Sequence, residues 1–169
     1  MIHWQLYPKS ASMPTHLALL IEVLKKHSTQ IDSTTHEKLE SNDVLAVLRN
    51  DLKSMGFKVE SGKRAKERVR VPVLFGKDGK VEKSFAVDAF HEETSTVLEV
   101  EAGRGFINYQ FLKDFFEACS MQDVNYLAID MRNVYIKGHD FERADAFFDT
   151  LYVSGRLSIP LKGLLLIGY

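Results

Sequence analysis

The run Val97-Leu98-Glu99-Val100-Glu101 constrains this chain more than any other short stretch. Its apolar residues leave no room for polar alternation until the end, where two carboxylates stand two residues apart. Residues i and i+2 of a strand point to the same face, so Glu99 and Glu101 stand side by side. Like charges at the end of a buried strand are costly unless a cation meets them. A glycine-flanked turn, Gly103-Arg104-Gly105, follows at once. Two glycines before a helix are too few to read as a phosphate cradle.

The period of the apolar residues organises what lies around this strand. Leu17, Leu20, Ile21 and Leu24 mark one face of a helix that opens near Pro14 and ends near His27. Ser28 to Ser33 reads as a polar break. A second helix has two candidate starts, Thr34 with Glu37 at capping-box spacing or the later Ser41-Asn42. Val44, Leu45, Leu48, Leu52 and Met55 are its apolar stripe, and Gly56 is its stop. From Phe57 the period becomes two. Strands are expected at 57–60, 68–75, 81–90 and 96–102, the last three as an antiparallel meander turning at Gly76-Lys77-Asp78-Gly79 and again near Glu93. Pro72 calls for an edge position or a bulge. Then come a helix over 106–120, a strand buried on both sides over 124–131, a helix over 140–153 and a strand over 163–169. The helices turn Ile107, Phe111, Leu112, Phe115 and Phe116, then Phe141, Ala144, Phe147, Phe148 and Leu151, inward. A strand, a helix and a second strand buried on both faces imply a parallel crossover. Residues 1 to 12 carry no periodic signal, and Trp4 and Tyr7 are expected to pin this arm to the body.

One domain spans residues 1–169: an arm and helix (1–33), an αβββαβ core (34–131), and a C-terminal helix and strand (132–169). The single Cys119 excludes an internal disulfide and a cysteine zinc site, and its place beside Phe115 and Phe116 predicts a buried, inert thiol. Met1 to Pro14 lacks the cationic start and apolar centre of a signal peptide. The longest apolar run, Leu164 to Ile167, is far too short to span a bilayer. A cytoplasmic protein without membrane contact is the expectation.

The candidate site follows from strand pairing. If 81–90 and 96–102 form a hairpin turning near Glu93, Asp88 lies opposite Glu99, with cross-strand neighbours roughly 5 Å apart. Two carboxylates there, with the carbonyl of Val100, make a hard oxygen site suited to Mg²⁺ or Mn²⁺. Without metal, repulsion raises one carboxylate's pKa.

Helix, three meandering strands, helix and strand, with an acid on the second strand and Glu-x-Glu on the third, resembles the PD-(D/E)XK nuclease superfamily, the restriction-endonuclease-like fold. The resemblance covers roughly residues 34–131. It implies a metal-dependent DNA endonuclease of restriction or repair type, many of which act as homodimers. It puts Asp88 at the first motif position, after Val87 rather than proline, and Glu99 at the second. Glu101 stands where most members have lysine, although some type II restriction enzymes carry an acid or amide there. Glu101 is then a base or a holder of a second metal, and Arg104 or Lys113 supplies the missing cation. A further acid from the first core helix is expected, Glu40 first, with Glu37 and Asp43 close by. The other expected class is a non-catalytic module binding nucleic acid or protein. A glycosidase with paired carboxylates ranks below both, because the acids lie so close together and no aromatic sugar platform is evident.

Charge is segregated along the chain. From Lys58 to Lys83 there are nine cations and four acids, a balance of +5, whereas the whole chain carries −1. Lys63, Arg64, Lys66, Arg68 and Arg70, with Arg104, are the expected DNA contacts. The six histidines lack metal-ligand spacing, and His91 reads as a turn residue.

Overall fold

The computed structural model describes residues 1–102 and 109–169. The 3.6-residue stripes become helices that bury the side chains the pattern names. Helix α1 (Thr15–Lys26) has Pro14 as its N-cap, Lys25 and Lys26 in its last turn, and Leu17, Leu20, Ile21 and Leu24 buried. The polar break after it holds a single helical turn, α2 (Ser28–Ile31), which buries Ile31. Helix α3 (Ser41–Ser54) takes the later of its two candidate starts and buries Val44, Leu45, Leu48 and Leu52. Residues 34–40 are prevented from joining it. The guanidinium of Arg132 donates to the carbonyls of Glu37, at 2.6 Å, and Leu39. The Asp43 carboxylate then accepts the Glu40 N–H at 2.9 Å, closing the helix start. Gly56 follows with φ 99°, a left-handed turn that glycine adopts without strain.

The sheet is mixed, so the class is α/β. Six strands lie in the order β1 (His3–Tyr7), β8 (Gly163–Gly168), β7 (Tyr126–Met131), β6 (Thr96–Glu101), β5 (Ala89–His91) and β2 (Lys58–Val59). The β6–β7 and β7–β8 pairs are parallel, the others antiparallel. The central strands are the ones that read as buried on both faces; every residue of β8 is buried.

Two helical layers cover this sheet. α1 and α3 pack on the face bearing Ala89, Leu98, Val100, Ala128, Leu165 and Ile167. α4 (Gln110–Ser120) and α5 (Asp140–Ser154) contribute Phe111, Phe115, Ala144 and Phe148 to the face bearing Val97, Leu127, Ile129, Leu164 and Leu166. Leu98 is fully buried, which contributes about 2–3 kcal/mol of transfer free energy.

Several expectations need correction. The N-terminal arm is an edge strand: β1 pairs with β8 from His3 opposite Gly168 to Tyr7 opposite Leu164. Its partner lies at the other end of the chain, beyond the reach of local pattern. Tyr7 does pin it, donating its hydroxyl to Asp145 Oδ1 at 2.6 Å, but Trp4 is half exposed. The strand expected over 81–90 is two strands broken at Asp88. β4 (Val81–Val87) pairs with β3 (Val69–Phe75) as a separate two-stranded ribbon, while β5 joins the main sheet. The ribbon's register slips after Pro72, the expected bulge. Phe116 and Phe147, expected inward, are exposed. Of the helix expected over 106–120, the structure describes Gln110–Ser120; Ile107 and the Gly103-Arg104-Gly105 turn lie outside the described residues. Among those described, no helix is long and apolar enough to cross a membrane.

Candidate active site

The hairpin between β5 and β6 has the register that the sequence suggests. Ala89 faces Leu98, Phe90 faces Val97 and His91 faces Thr96. One step further out, Asp88 meets Glu99. Its backbone N–H donates to Glu99 Oε2 at 3.4 Å, and its own Oδ2 accepts the Val100 N–H at 2.8 Å. The Asp88 carbonyl accepts the N–H of Glu60 at 2.8 Å, which ties the far side of the break to the end of β2. Asp88 therefore stands where the chain changes sheets, held on both sides through groups a regular strand would use for pairing.

Val97, Glu99 and Glu101 share the face covered by α4. That helix brings Asp114, buried at 5% exposure, to the same place. Asp114 accepts from Gln110 Nε2 at 3.2 Å and from Lys113 Nζ at 3.4 Å. Glu101 is hydrogen-bonded to Asp114. Two further contacts fix the backbone at the end of β6. The Ala102 N–H donates to Ser41 Oγ at 3.1 Å, and the Tyr169 hydroxyl donates to the Glu101 carbonyl at 3.2 Å. The starts of α3 and the last residue of the chain thereby hold the strand that carries the acids.

Burial and crowding push these carboxyls toward the neutral form. Asp88 rises to about 6, first through burial and then through the charges of Glu60 and Asp114, against the Val100 N–H that lowers it. Burial and then Asp88 hold Glu99 well above the usual carboxylate range. Glu101 is pushed up to about 9 by burial and by its hydrogen bond to Asp114. Lys113 is the counter-charge: partial burial works against its ammonium, yet Asp114 and Glu117 keep its pKa above that of an ordinary lysine. Its field in turn lowers Asp88 and Glu101.

Asp130 adds a fifth acid at this end of the sheet. It pairs in register with Val100 and is completely buried. Neither carboxylate oxygen has a hydrogen-bond partner among the described residues. Burial, and then the charge of Asp88, raise its pKa well above the ordinary value.

The fit to a metal ion can be judged from this donor set. Crowded carboxyls that burial and mutual repulsion hold toward the neutral form become ligands of a hard divalent cation on ionising, and the cation then offsets their repulsion. Among the described residues no three histidine, cysteine, aspartate or glutamate side chains are grouped so as to hold a metal ion by themselves. That is compatible with Mg²⁺, which keeps several waters and needs only one or two carboxylates. Asp88 and Glu99, with the Val100 carbonyl, are the residues that would hold it.

Asp88, Glu99 and Glu101 are thus brought together, and the remaining candidates are not all with them. Glu40, expected as a further acid, is exposed at the N-cap of α3, and Glu37 and Asp43 are exposed beside it. The grip of Arg132 on the carbonyls of Glu37 and Leu39 fixes the segment that way. The further acids whose charges act on the site are Asp114 and Glu60, while Asp130, in register with Val100, stands on the other face of the sheet and feels the charge of Asp88. Asp114 had a sequence signal, a carboxylate among Phe111, Phe115 and Ala118 on a helix's buried stripe. Asp130 had one too, as the acid inside an apolar strand. Arg104 lies outside the described residues.

The basic candidates make a different surface. Lys63, Arg64, Lys66, Arg68 and Arg70 are all exposed. Lys66, Arg68 and Arg70 join Lys58, Val71 and Phe90 around a cleft of about 780 Å³, which shares no lining residue with the acid cluster. Glu67, Glu92 and Asp123 also line it, and Lys58 is paired with Glu92. His91 is structural: it bonds the Met55 carbonyl through Nε2 at 2.8 Å and accepts the Thr94 N–H at Nδ1. Cys119 is half-buried, and burial pushes its thiol up to about 11, away from reactivity.

Comparison with known proteins finds no family model, no curated protein and no solved structure that matches this chain.

Proposed function

We propose that the protein is a metal-dependent DNA endonuclease of restriction-endonuclease-like fold, cutting phosphodiester bonds at the Asp88–Glu99–Glu101 cluster. The observation that carries this reading is the meeting of Asp88 with Glu99 across the β5–β6 hairpin, at the end of a β6–β7 parallel pair, with Glu101 beside them. The core order α3, β2, β5, β6, α4, β7 supports it, with the ribbon as an insertion between β2 and β5.

The bound cation, Mg²⁺ or Mn²⁺, would polarise the phosphoryl oxygen and lower the pKa of an attacking water. The chain's own residues do the rest. Asp88 and Glu99 orient the reacting group from two adjacent strands, and the Val100 N–H fixes the Asp88 carboxylate. Glu101, in its ionised form, would take a proton from the attacking water, with Asp114 beside it. Lys113, exposed at the edge of the cluster, supplies the positive charge that faces the substrate phosphate.

A non-catalytic binding module on the same fold is the second reading. It is favoured by the acid at position 101 and by the absence, among the described residues, of a ready-made three-ligand metal group. Plasmid incubated with Mg²⁺ or Mn²⁺ separates the two. The nuclease reading expects cleavage that falls at least ~10³-fold in Asp88→Ala and in Glu99→Ala. Cleavage indifferent to both substitutions overturns the site, and no cleavage together with no metal binding by calorimetry favours the binding module.

A further inference from the structure

The ribbon formed by β3 and β4 has no role in the acid cluster, yet it grows out of it. Val69 pairs with Val87, one residue before Asp88, and the Glu60 N–H that precedes the insertion bonds the Asp88 carbonyl. Its inner part packs on the sheet through Val71 and Val87. Its outer part does not: Leu74, Phe75 and Val81 are all more than half exposed.

Its cations have only weak partners within the ribbon: Lys83 lies 5.4 Å from the centroid of the Phe85 ring, and Arg70 donates to Ser84 Oγ at 3.5 Å. Arg68, Arg70, Lys77, Lys80 and Lys83 are exposed, and none forms an ion pair among the described residues. Lys9, Lys25, Lys26, Lys58 and Lys113 all do. The stretch 58–83 carries +5, which leaves the rest of the chain at −6. Cations collected on one exposed insertion of an otherwise acidic protein complement a polyanion. The shape narrows the choice. A two-stranded antiparallel ribbon fits the major groove of B-form DNA, about 12 Å wide. Seven residues per strand give it a length of about 20 Å.

We propose that the β3–β4 ribbon enters the major groove of duplex DNA, with its arginines and lysines on the phosphates and Leu74, Phe75 and Val81 against base edges. The proposal rests on the nuclease reading for its substrate, but binding is measured without cleavage. Apolar side chains at base edges read thymine methyl groups, so the ribbon carries sequence preference as well as affinity.

The test is fluorescence anisotropy of the intact protein with a short DNA duplex in Ca²⁺, over a range of KCl. Lys77→Gln/Lys80→Gln/Lys83→Gln is expected to weaken duplex binding at least ~10-fold and to flatten the slope of log K against log salt by about two to three. Leu74→Ser/Phe75→Ser is expected to weaken binding severalfold with the slope unchanged. Both variants alter exposed residues, and circular dichroism checks that they fold. Lys53→Gln, on α3, is the control. Duplex RNA should bind more weakly, because its major groove is too deep and narrow for a ribbon. Wild-type slope and affinity in the triple variant overturn the proposal. So does duplex RNA binding as tight as DNA. So does a wild-type dimer that Leu74→Ser/Phe75→Ser dissociates with DNA affinity unchanged, since the tip then docks on a second copy. Salt-slope changes without any plasmid cleavage support the ribbon and count against the catalytic reading alone.

Discussion

The acid cluster and the ribbon are opposites in sign and in setting. Asp88, Glu99, Glu101 and Asp130 are drawn into the body beside the buried Asp114, and the pKa values of those first four rise because burial opposes their charge. Arg68, Arg70, Lys77, Lys80 and Lys83 stand in water at no such cost. The difference separates two kinds of demand. Buried carboxyls ask for a cation inside the fold, or for protons in its place. Exposed cations ask nothing of the fold, and their collection on one insertion is what the proposed DNA contact rests on.

The largest effect is expected from removing the charge on the buried side. In Asp88→Asn/Glu99→Gln, thermal unfolding at pH 8 without divalent ions should occur at a higher temperature than in wild type, by about 2–3 kcal/mol of stability. Wild type should gain ~2.7 kcal/mol from Mn²⁺ at a hundred times its Kd, and the variant nothing. Equal Mn²⁺ stabilisation of both proteins would place the ion elsewhere.

A smaller effect follows from pH. Asp88 has a folded pKa of about 6, above its ordinary 3.8. Between those values the native state binds more protons than the unfolded chain, so stability falls as pH rises. Glu101, at about 9 against 4.5, extends the decline toward pH 9. Asp88 alone should cost the metal-free protein on the order of 2 kcal/mol between pH 4 and pH 7, visible as a drop of several degrees in Tm. A divalent ion should flatten that slope. A metal-free Tm that climbs over this range would mean the acids are paired rather than crowded.

The smallest effect concerns Asp130. Asp130→Val replaces a buried carboxyl that has no hydrogen-bond partner among the described residues by a strand-forming apolar side chain, and denaturant unfolding at pH 8 should show a gain of about 1 kcal/mol. A loss of that size would show that Asp130 answers to a ligand shared with Asp88. The ribbon's lysines, which form no ion pair among the described residues, offer the contrast, since substituting Lys77 or Lys80 should leave stability within about 0.5 kcal/mol of wild type.

Much of this was legible in local pattern. Leu17, Leu20, Ile21 and Leu24 at 3.6-residue spacing define α1, and the unbroken apolar runs of β7 and β8 identify strands covered on both faces. The pairing of Asp88 with Glu99 was legible too, because a hairpin's register follows from its turn. Tertiary structure decided the rest. β1 has a partner more than 150 residues away, and nothing local announces that pairing. The exposure of Glu40 was settled by Arg132, ninety residues downstream, through two carbonyls near the helix start. The break at Asp88 was settled by competition, with β3 taking β4 and β6 taking β5. Asp114 reached the acids only because α4 returns across the face that Glu99 and Glu101 share.

The sequence by itself determined which residues are acidic and how adjacent strands align them, since both are properties of short stretches. Only the folded chain decided how deeply those acids are buried and which further acids join them. Burial and long-range approach depend on every element that packs against the site, and no single stretch encodes them.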